Sequence, residues 1–249
     1  PRSGNDVPRI VETDSGMLNA IGLANIGLEA FVREKLEIIS RYGLPVFVNV
    51  AGRRIEDYIK VAETLADRSV IAGFELNISC PNVKKGGISF GTDPRMVEQI
   101  TSEVKTRCGS KPLIVKLTPA VTDICATAEA AVQGGADALS LINTFTGMVI
   151  DIESRKPVLA NRTGGLSGPA IRPLAVYLVN RVYENVASKA DIPVLGLGGI
   201  RNASDAIEFI IAGATAVAVG TATFAEPECG TKIVEGLTKY CQRNGIPEL

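Results

Sequence analysis

Apolar residues in this chain gather into short, nearly continuous runs. Six stand out: Pro45–Val50 (PVFVNV), Gly73–Ile78 (GFELNI), Leu113–Leu117 (LIVKL), Ala138–Ile142 (ALSLI), Pro193–Leu197 (PVLGL) and Ala216–Val219 (AVAV). Runs of this length, rich in Val, Ile and Leu, predict strands covered on both faces. The intervening segments carry helical spacing with readable ends. Thr92-Asp93-Pro94 places a capping residue before a proline at the first helical position. Thr122 precedes the pattern Ile124–Val132, which stops at Gly134-Gly135. Asn202 or Ser204 opens a helix that runs to Gly213. Strands alternating with helices predict a parallel α/β fold.

The last two strands narrow the architecture. Gly198-Gly199 follows one, and Gly220-Thr221 follows the other. Glycine just past a strand lets backbone N–H groups approach an anion. Paired phosphate loops after the final two strands are a habit of the (β/α)8 barrel. Tight turns with no ligand would use the same residues. A TIM (β/α)8 barrel needs eight strands, and the pattern supplies six. The expectation is therefore a single barrel domain over residues 1–249, with the first two strands absent from the chain. Residues 1–44 show one helix, Leu28–Ser40, and little strand. The stretch Asn143–Gly168 is long for a connection. It predicts an excursion over the barrel mouth (residues 145–163), with a β-hairpin around Val149–Asn161 and a glycine-rich helix start at Gly164–Pro169.

Composition then removes several functions. The chain has 249 residues, 46% apolar and 21% charged, with a net charge of −1. No basic stripe suggests nucleic acid, and no apolar run reaches the roughly 18 residues of a membrane span. The N-terminal PRSGNDVPRI lacks the apolar stretch of a signal peptide. Five widely spaced cysteines argue against disulfide frameworks and zinc sites, and fit a reducing cytoplasm. There is no histidine. Proton transfer within the chain must therefore use Cys, Lys, Tyr or a carboxylate.

Polar residues concentrate at the C-terminal ends of the strands, where barrel active sites form. Asn49 ends the first and Asn77 the second; Lys116 lies in the third; Asn143 and Thr144 follow the fourth. Single amides often cap loops, but several on one rim suit a ligand with both donors and acceptors, such as a cyclic imide or ureide. Lys116 inside an apolar strand needs an anionic partner, a route for its ammonium to solvent, or a bound anion or reducible cofactor. Cys80 follows the second strand in NISCPN (Asn77–Asn82). A lone cysteine is commonly a small buried apolar residue. Here Lys84 and Lys85 lie close in sequence, and a nearby cation makes a thiol a usable base. Lys84–Gly91 (KKGGISFG) is glycine-rich enough to move as a lid.

In order along nearly the whole chain, these segments resemble class 1 dihydroorotate dehydrogenases. The motifs are NAIGL (Asn19–Leu23), NISCPNVKKGGISFG (Asn77–Gly91), VKLTP (Val115–Pro119), LINT (Leu141–Thr144), GGLSGPAI (Gly164–Ile171), GLGGI (Gly196–Ile200) and VGTA (Val219–Ala222). NAIGL together with the CPNVK loop resembles the NAD-linked subclass, 1B. The resemblance implies oxidation of (S)-dihydroorotate to orotate in pyrimidine synthesis. A base takes the C5 proton while hydride passes from C6 to flavin N5, and Cys80 matches that base. Asn19, Ala20, Ile21, Gly22 and Leu23 match the first substrate loop, and Asn77, Asn82, Asn143 and Thr144 the other pyrimidine contacts. Asn49, Asn77, Lys116, Ile142, Gly168, Gly198, Gly199, Gly220 and Thr221 match the FMN contacts. Family members begin with two further strands that supply a flavin-facing lysine, which matches the two strands missing from the count.

The same resemblance implies a homodimer, and in subclass 1B a heterotetramer with an electron-transfer subunit carrying FAD and a 2Fe–2S cluster. This chain has neither a dinucleotide fingerprint nor cluster spacing, so NAD would be handled by the partner. Three alternatives stand beside this reading: an FMN barrel acting on a related dihydropyrimidine, a non-redox phosphate-binding isomerase or lyase, and a non-catalytic truncated barrel.

Overall fold

A computed structural model of the chain describes residues 1–79, 81–82 and 88–247. The chain opens with an antiparallel hairpin, β1 (Ile10–Thr13) and β2 (Gly16–Asn19). A helical stretch follows, Leu28–Ala30 and Leu36–Ser40 with a π-helical turn Phe31–Lys35 between them. Then come β3 (Val46–Val50), β4 (Ile71–Asn77), the short pair β5 (Pro81–Asn82) and β6 (Ile88–Ser89), β7 (Leu113–Lys116) and β8 (Ala138–Leu141). The long stretch after β8 holds β9 (Phe145–Gly147), β10 (Ile150–Asp151), β11 (Lys156–Pro157) and β12 (Gly164–Ser167). The last strands are β13 (Val194–Leu197) and β14 (Ala216–Ala218).

The six strands expected from the apolar runs form one parallel sheet in sequential order, β3-β4-β7-β8-β13-β14. That is the winding of a (β/α)8 barrel. One face of each strand packs against a helical shell. Leu113, Val115, Leu76, Phe74 and Leu139 are fully buried against residues such as Tyr58, Ile100, Val104, Ala128 and Phe209. The other face looks into the barrel. At its lower end Phe47, Ile114, Ala138, Leu195 and Ala216 line an apolar cavity of about 560 Å³. Toward the C-terminal strand ends that face becomes polar.

The helix ends follow the sequence closely. Asp93 caps the helix Pro94–Lys105 by accepting the N–H of Arg95, and Asn202 caps Ala203–Ile211 by accepting that of Asp205. At the helix Ile124–Gln133 the cap is Asp123, one residue beyond Thr122, and it accepts the N–H of Cys125. Asp123 has the extended backbone of a cap, and its carboxylate reaches the second N–H of the helix.

Two segments depart from the expectation. The hairpin β1–β2 occupies a region read as nearly strand-free, and Gly164–Ser167 is a strand rather than a helix start. Both belong to a second sheet, antiparallel, in the order β1-β2-β12-β9. The glycines explain the second departure. A Cβ at Gly164 would sit 2.8 Å from the Asn19 carbonyl oxygen, and one at Gly165 would collide with Thr144. Without side chains, this strand can lie flat against both neighbours. Beyond it, β10 and β11 form a small hairpin of their own.

Candidate active site

Parallel register assembles the floor of the barrel mouth. Asn49 lies opposite Glu75, Asn77 opposite Lys116, and Lys116 opposite Ser140. Residues two apart share a face, so Glu75 and Asn77 both point inward. Asn77 donates to the Asn49 side-chain oxygen at 3.3 Å. Asn143 donates to Asn77 at 3.4 Å and to the Ser79 hydroxyl at 2.8 Å. Three amides predicted from separate strand ends therefore form one chain. Beneath Asn77, the buried Tyr58 hydroxyl donates to its backbone carbonyl at 3.0 Å. Lys116 does find an anion within the protein: its ammonium is 3.6 Å from the Glu75 carboxylate, with both side chains largely buried.

A second group is built from backbone. Gly168, Gly199, Gly220 and Thr221 line one cavity of about 310 Å³, together with Gly16, Met17 and Arg201. Gly168 and Gly199 have φ of 96° and 77°, a conformation open to glycine and strained for other residues. A Cβ on Gly199 would meet the Gly168 carbonyl oxygen at 2.6 Å. Thr221 donates to the Ser167 hydroxyl at 2.8 Å, tying the cavity wall to β12. Behind the cavity, Arg172 pairs with the buried Asp205, which also accepts the backbone N–H of Arg201 at 3.0 Å. Gly198 stands outside this lining: its missing Cβ makes room for Ala175, with Ile142 3.7 Å away. Ile142 is buried at the joint between β8 and β13, its N–H bonded to the Leu197 carbonyl at 2.9 Å.

The loop Asn19–Leu23 leaves the end of β2. Asn19 pairs with Gly165, and Thr144 packs on the same glycine, so the two predicted substrate contacts flank one strand. Ala20 is buried with Leu18 and Leu159. Asn5 holds the loop by donating its side-chain N–H to the Ala20 carbonyl at 2.9 Å and its backbone N–H to that of Ile21 at 3.0 Å. Gly22 and Leu23 both turn with positive φ, and Leu23 projects outward.

Cys80 lies outside the described residues, as do Val83–Gly87 and with them the start of the predicted lid. Asn82 is placed by its backbone, in β5. Two other cysteines belong to the helical shell. Burial pushes the Cys108 thiol up to about 11, against the pull of Lys105, and its Sγ donates to the Val104 carbonyl at 3.3 Å. Burial also raises the Cys125 thiol. Neither is suited to accept a proton at neutral pH.

Some groups now in the site went unnamed in the sequence: Glu75, Ser79, Ser140, Ser167 and Arg201. For Glu75 there was a signal, since it stands two residues before Asn77 in an otherwise apolar run. The serines carried none.

The profile of the family "Dihydroorotate dehydrogenase" matches residues 1–241. The chain belongs to the dihydroorotate dehydrogenase family. It is 53% identical over all 249 residues to the "Dihydroorotate dehydrogenase B (NAD(+)), catalytic subunit" of Geotalea uraniireducens, covering 80% of that protein. Proteins of the same name from Alkaliphilus oremlandii and Lachnoclostridium phytofermentans are 52% and 51% identical over the full chain, which covers 80% and 81% of them. This places the chain in class 1B. Dihydroorotate dehydrogenases are flavin enzymes, and the groups present fit a flavin. The glycine-lined cavity gives a phosphate room to approach the backbone, and Arg201 lines it together with the acidic Glu12. Lys116 offers a fixed cation, and the amide chain offers paired donors and acceptors.

Proposed function

We propose that this chain oxidises dihydroorotate to orotate as the catalytic subunit of an NAD-linked dihydroorotate dehydrogenase, with FMN across the barrel mouth. The observation carrying this reading is the pairing of two features at one end of one barrel. One is the Asn49–Asn77–Asn143 chain with Lys116; the other is the cavity shared by Gly168, Gly199, Gly220 and Thr221. FMN, when bound, supplies the acceptor for the hydride leaving C6.

The chain's own residues do the rest. Gly199, Gly220 and Thr221 hold the phosphate, with Gly168 and Gly198 giving the backbone room. Asn49, Asn77, Lys116 and Ile142 line the ring. Lys116 lies where negative charge collects on a reduced flavin, near N1 and the C2 carbonyl. Asn77, Asn82, Asn143 and Thr144, with the loop Asn19–Leu23, hold the pyrimidine. Cys80 takes the C5 proton as thiolate, helped by Lys84 and Lys85.

Electrons leave through a partner subunit carrying FAD and a 2Fe–2S cluster, on a homodimer of this chain in the cytoplasm. Among the described residues no group of three or more Cys, Asp or Glu could hold a metal, and no helix is long and apolar enough to cross a membrane.

Anaerobic titration with dihydroorotate tests the reading: the flavin band near 450 nm should bleach, and dihydrouracil should leave it unchanged. Cys80→Ala should slow that bleaching by about 10²–10⁴-fold with FMN content intact. Unchanged reduction kinetics would remove Cys80 from the role of base. A purified protein with no flavin band would overturn the whole reading.

A further inference from the structure

Glu75 has no part in the chemistry above, yet it is the most heavily engaged carboxylate on the barrel floor. One carboxylate oxygen accepts from the Asn49 side chain and faces the Lys116 ammonium at 3.6 Å; the other accepts from the Ser140 hydroxyl at 2.8 Å. Its contacts thus come from β3, β7 and β8 at once. The Glu75 side chain is 14% exposed and that of Lys116 18%, so water screens the pair little. At 3.6 Å the ammonium is beyond good hydrogen-bonding distance, so among the described residues its N–H donors are left to serve a group above it.

We propose that Glu75 is a positioning residue of the flavin site, acting through Lys116. It fixes the ammonium and the Asn49 amide beneath the ring, and it balances the lysine charge. The driving force for flavin reduction is then set by the ion pair rather than by Lys116 alone. This rests on the FMN reading given above.

A carboxylate near the ring disfavours the extra negative charge of reduced flavin, so its neutralisation should favour the reduced form. The test is the midpoint potential of bound FMN, measured spectroelectrochemically on the holoprotein. In Glu75→Gln the midpoint should rise by about 30 mV, a tenfold tighter hold on reduced than on oxidised FMN for a two-electron couple. Glu75→Asp, which keeps the charge, should stay near the parent value. A Glu75→Gln protein that binds FMN with an unshifted midpoint would overturn the proposal.

If Glu75→Gln does not fold or load, the double variant Glu75→Gln/Lys116→Met decides. Removing both charges should restore folding and FMN loading, because the uncompensated cation is gone. A double variant no better than the single one would mark Glu75 as merely structural and end the proposal. A parent protein that binds no FMN would instead overturn the functional reading, and this inference with it.

Discussion

The floor of the barrel mouth and the glycine-lined cavity beside it are built on opposite plans. The floor is made of side chains: Asn49, Glu75, Asn77, Lys116, Ser140 and Asn143 reach inward from parallel strands and bond to one another. The cavity is made of backbone: at Gly168 and Gly199 what matters is the absence of a Cβ. A side-chain site is sensitive to chemistry at constant shape, and a backbone site to shape at almost constant chemistry.

The largest effect should come from the floor. Lys116→Met keeps the stem and removes the charge. Flavin reduction by dihydroorotate should slow by about 10²–10³-fold in stopped flow, with FMN still bound through its phosphate. Loss of FMN along with the rate would show that the two regions do not act separately.

Next is the brace behind the cavity. Asp205→Asn leaves Arg172 without its buried partner and should cost about 3 kcal/mol of stability in urea unfolding. A smaller loss is expected in the cavity itself. Gly199→Ala puts a methyl group against the Gly168 carbonyl at positive φ and should cost about 2 kcal/mol, with weakened FMN binding. Gly220→Ala is the control, because nothing lies within 4 Å of its added Cβ. Its stability should stay within about 0.5 kcal/mol of the parent. Equal losses at the two glycines would break the claim that shape governs this region.

The smallest effect belongs to the scaffold after Asn49. Asp57 accepts the backbone N–H groups of Arg53 and Arg54 at the start of the helix Ile55–Leu65. Partial burial raises its carboxyl, but these bonds and the Arg54 charge outweigh that and hold it below the ordinary 3.8. A lowered folded value means stability that is present above the unfolded value and lost as pH falls through the folded one. Asp57→Asn should therefore cost about 1 kcal/mol at neutral pH. The gap to the parent should close below pH 3.8, once the parent's carboxyl is protonated as well. A gap that persists in acid would assign the loss to packing.

The same contrast explains what could be read in advance. Continuous apolar runs announce parallel strands, so β3, β4, β7, β8, β13 and β14 were visible, although the edge strands β3 and β14 are covered on only part of their surface. Caps such as Asp93 and Asn202 act locally and were visible too. The hairpin β1–β2 was not, because its strands are four residues each and depend on pairing with β12. Gly164–Ser167 was misread because glycine disfavours strands in general, and only its neighbours Asn19 and Thr144 make the empty side an advantage here. Amides at strand ends stood out; Glu75, two residues before Asn77, gave a weaker signal. In sequence a single acid within a strand looks like a solvated position, and only sheet register sets it beside Asn49 and Lys116.

Strand β2 has one more consequence, which concerns length. Gly16, at one end, presses on Ser167 and Gly168 at the backbone cavity, while Asn19, at the other, opens the loop toward Thr144. Four residues of strand span about 10 Å. The strand thus works as a ruler, setting the distance between the glycine-lined cavity and the loop Asn19–Leu23. A single inserted residue would lengthen it by about 3.4 Å and turn its side chains to the wrong face. The spacing between the two halves of the site is thus carried by the length of one short strand, whose two ends each belong to one half.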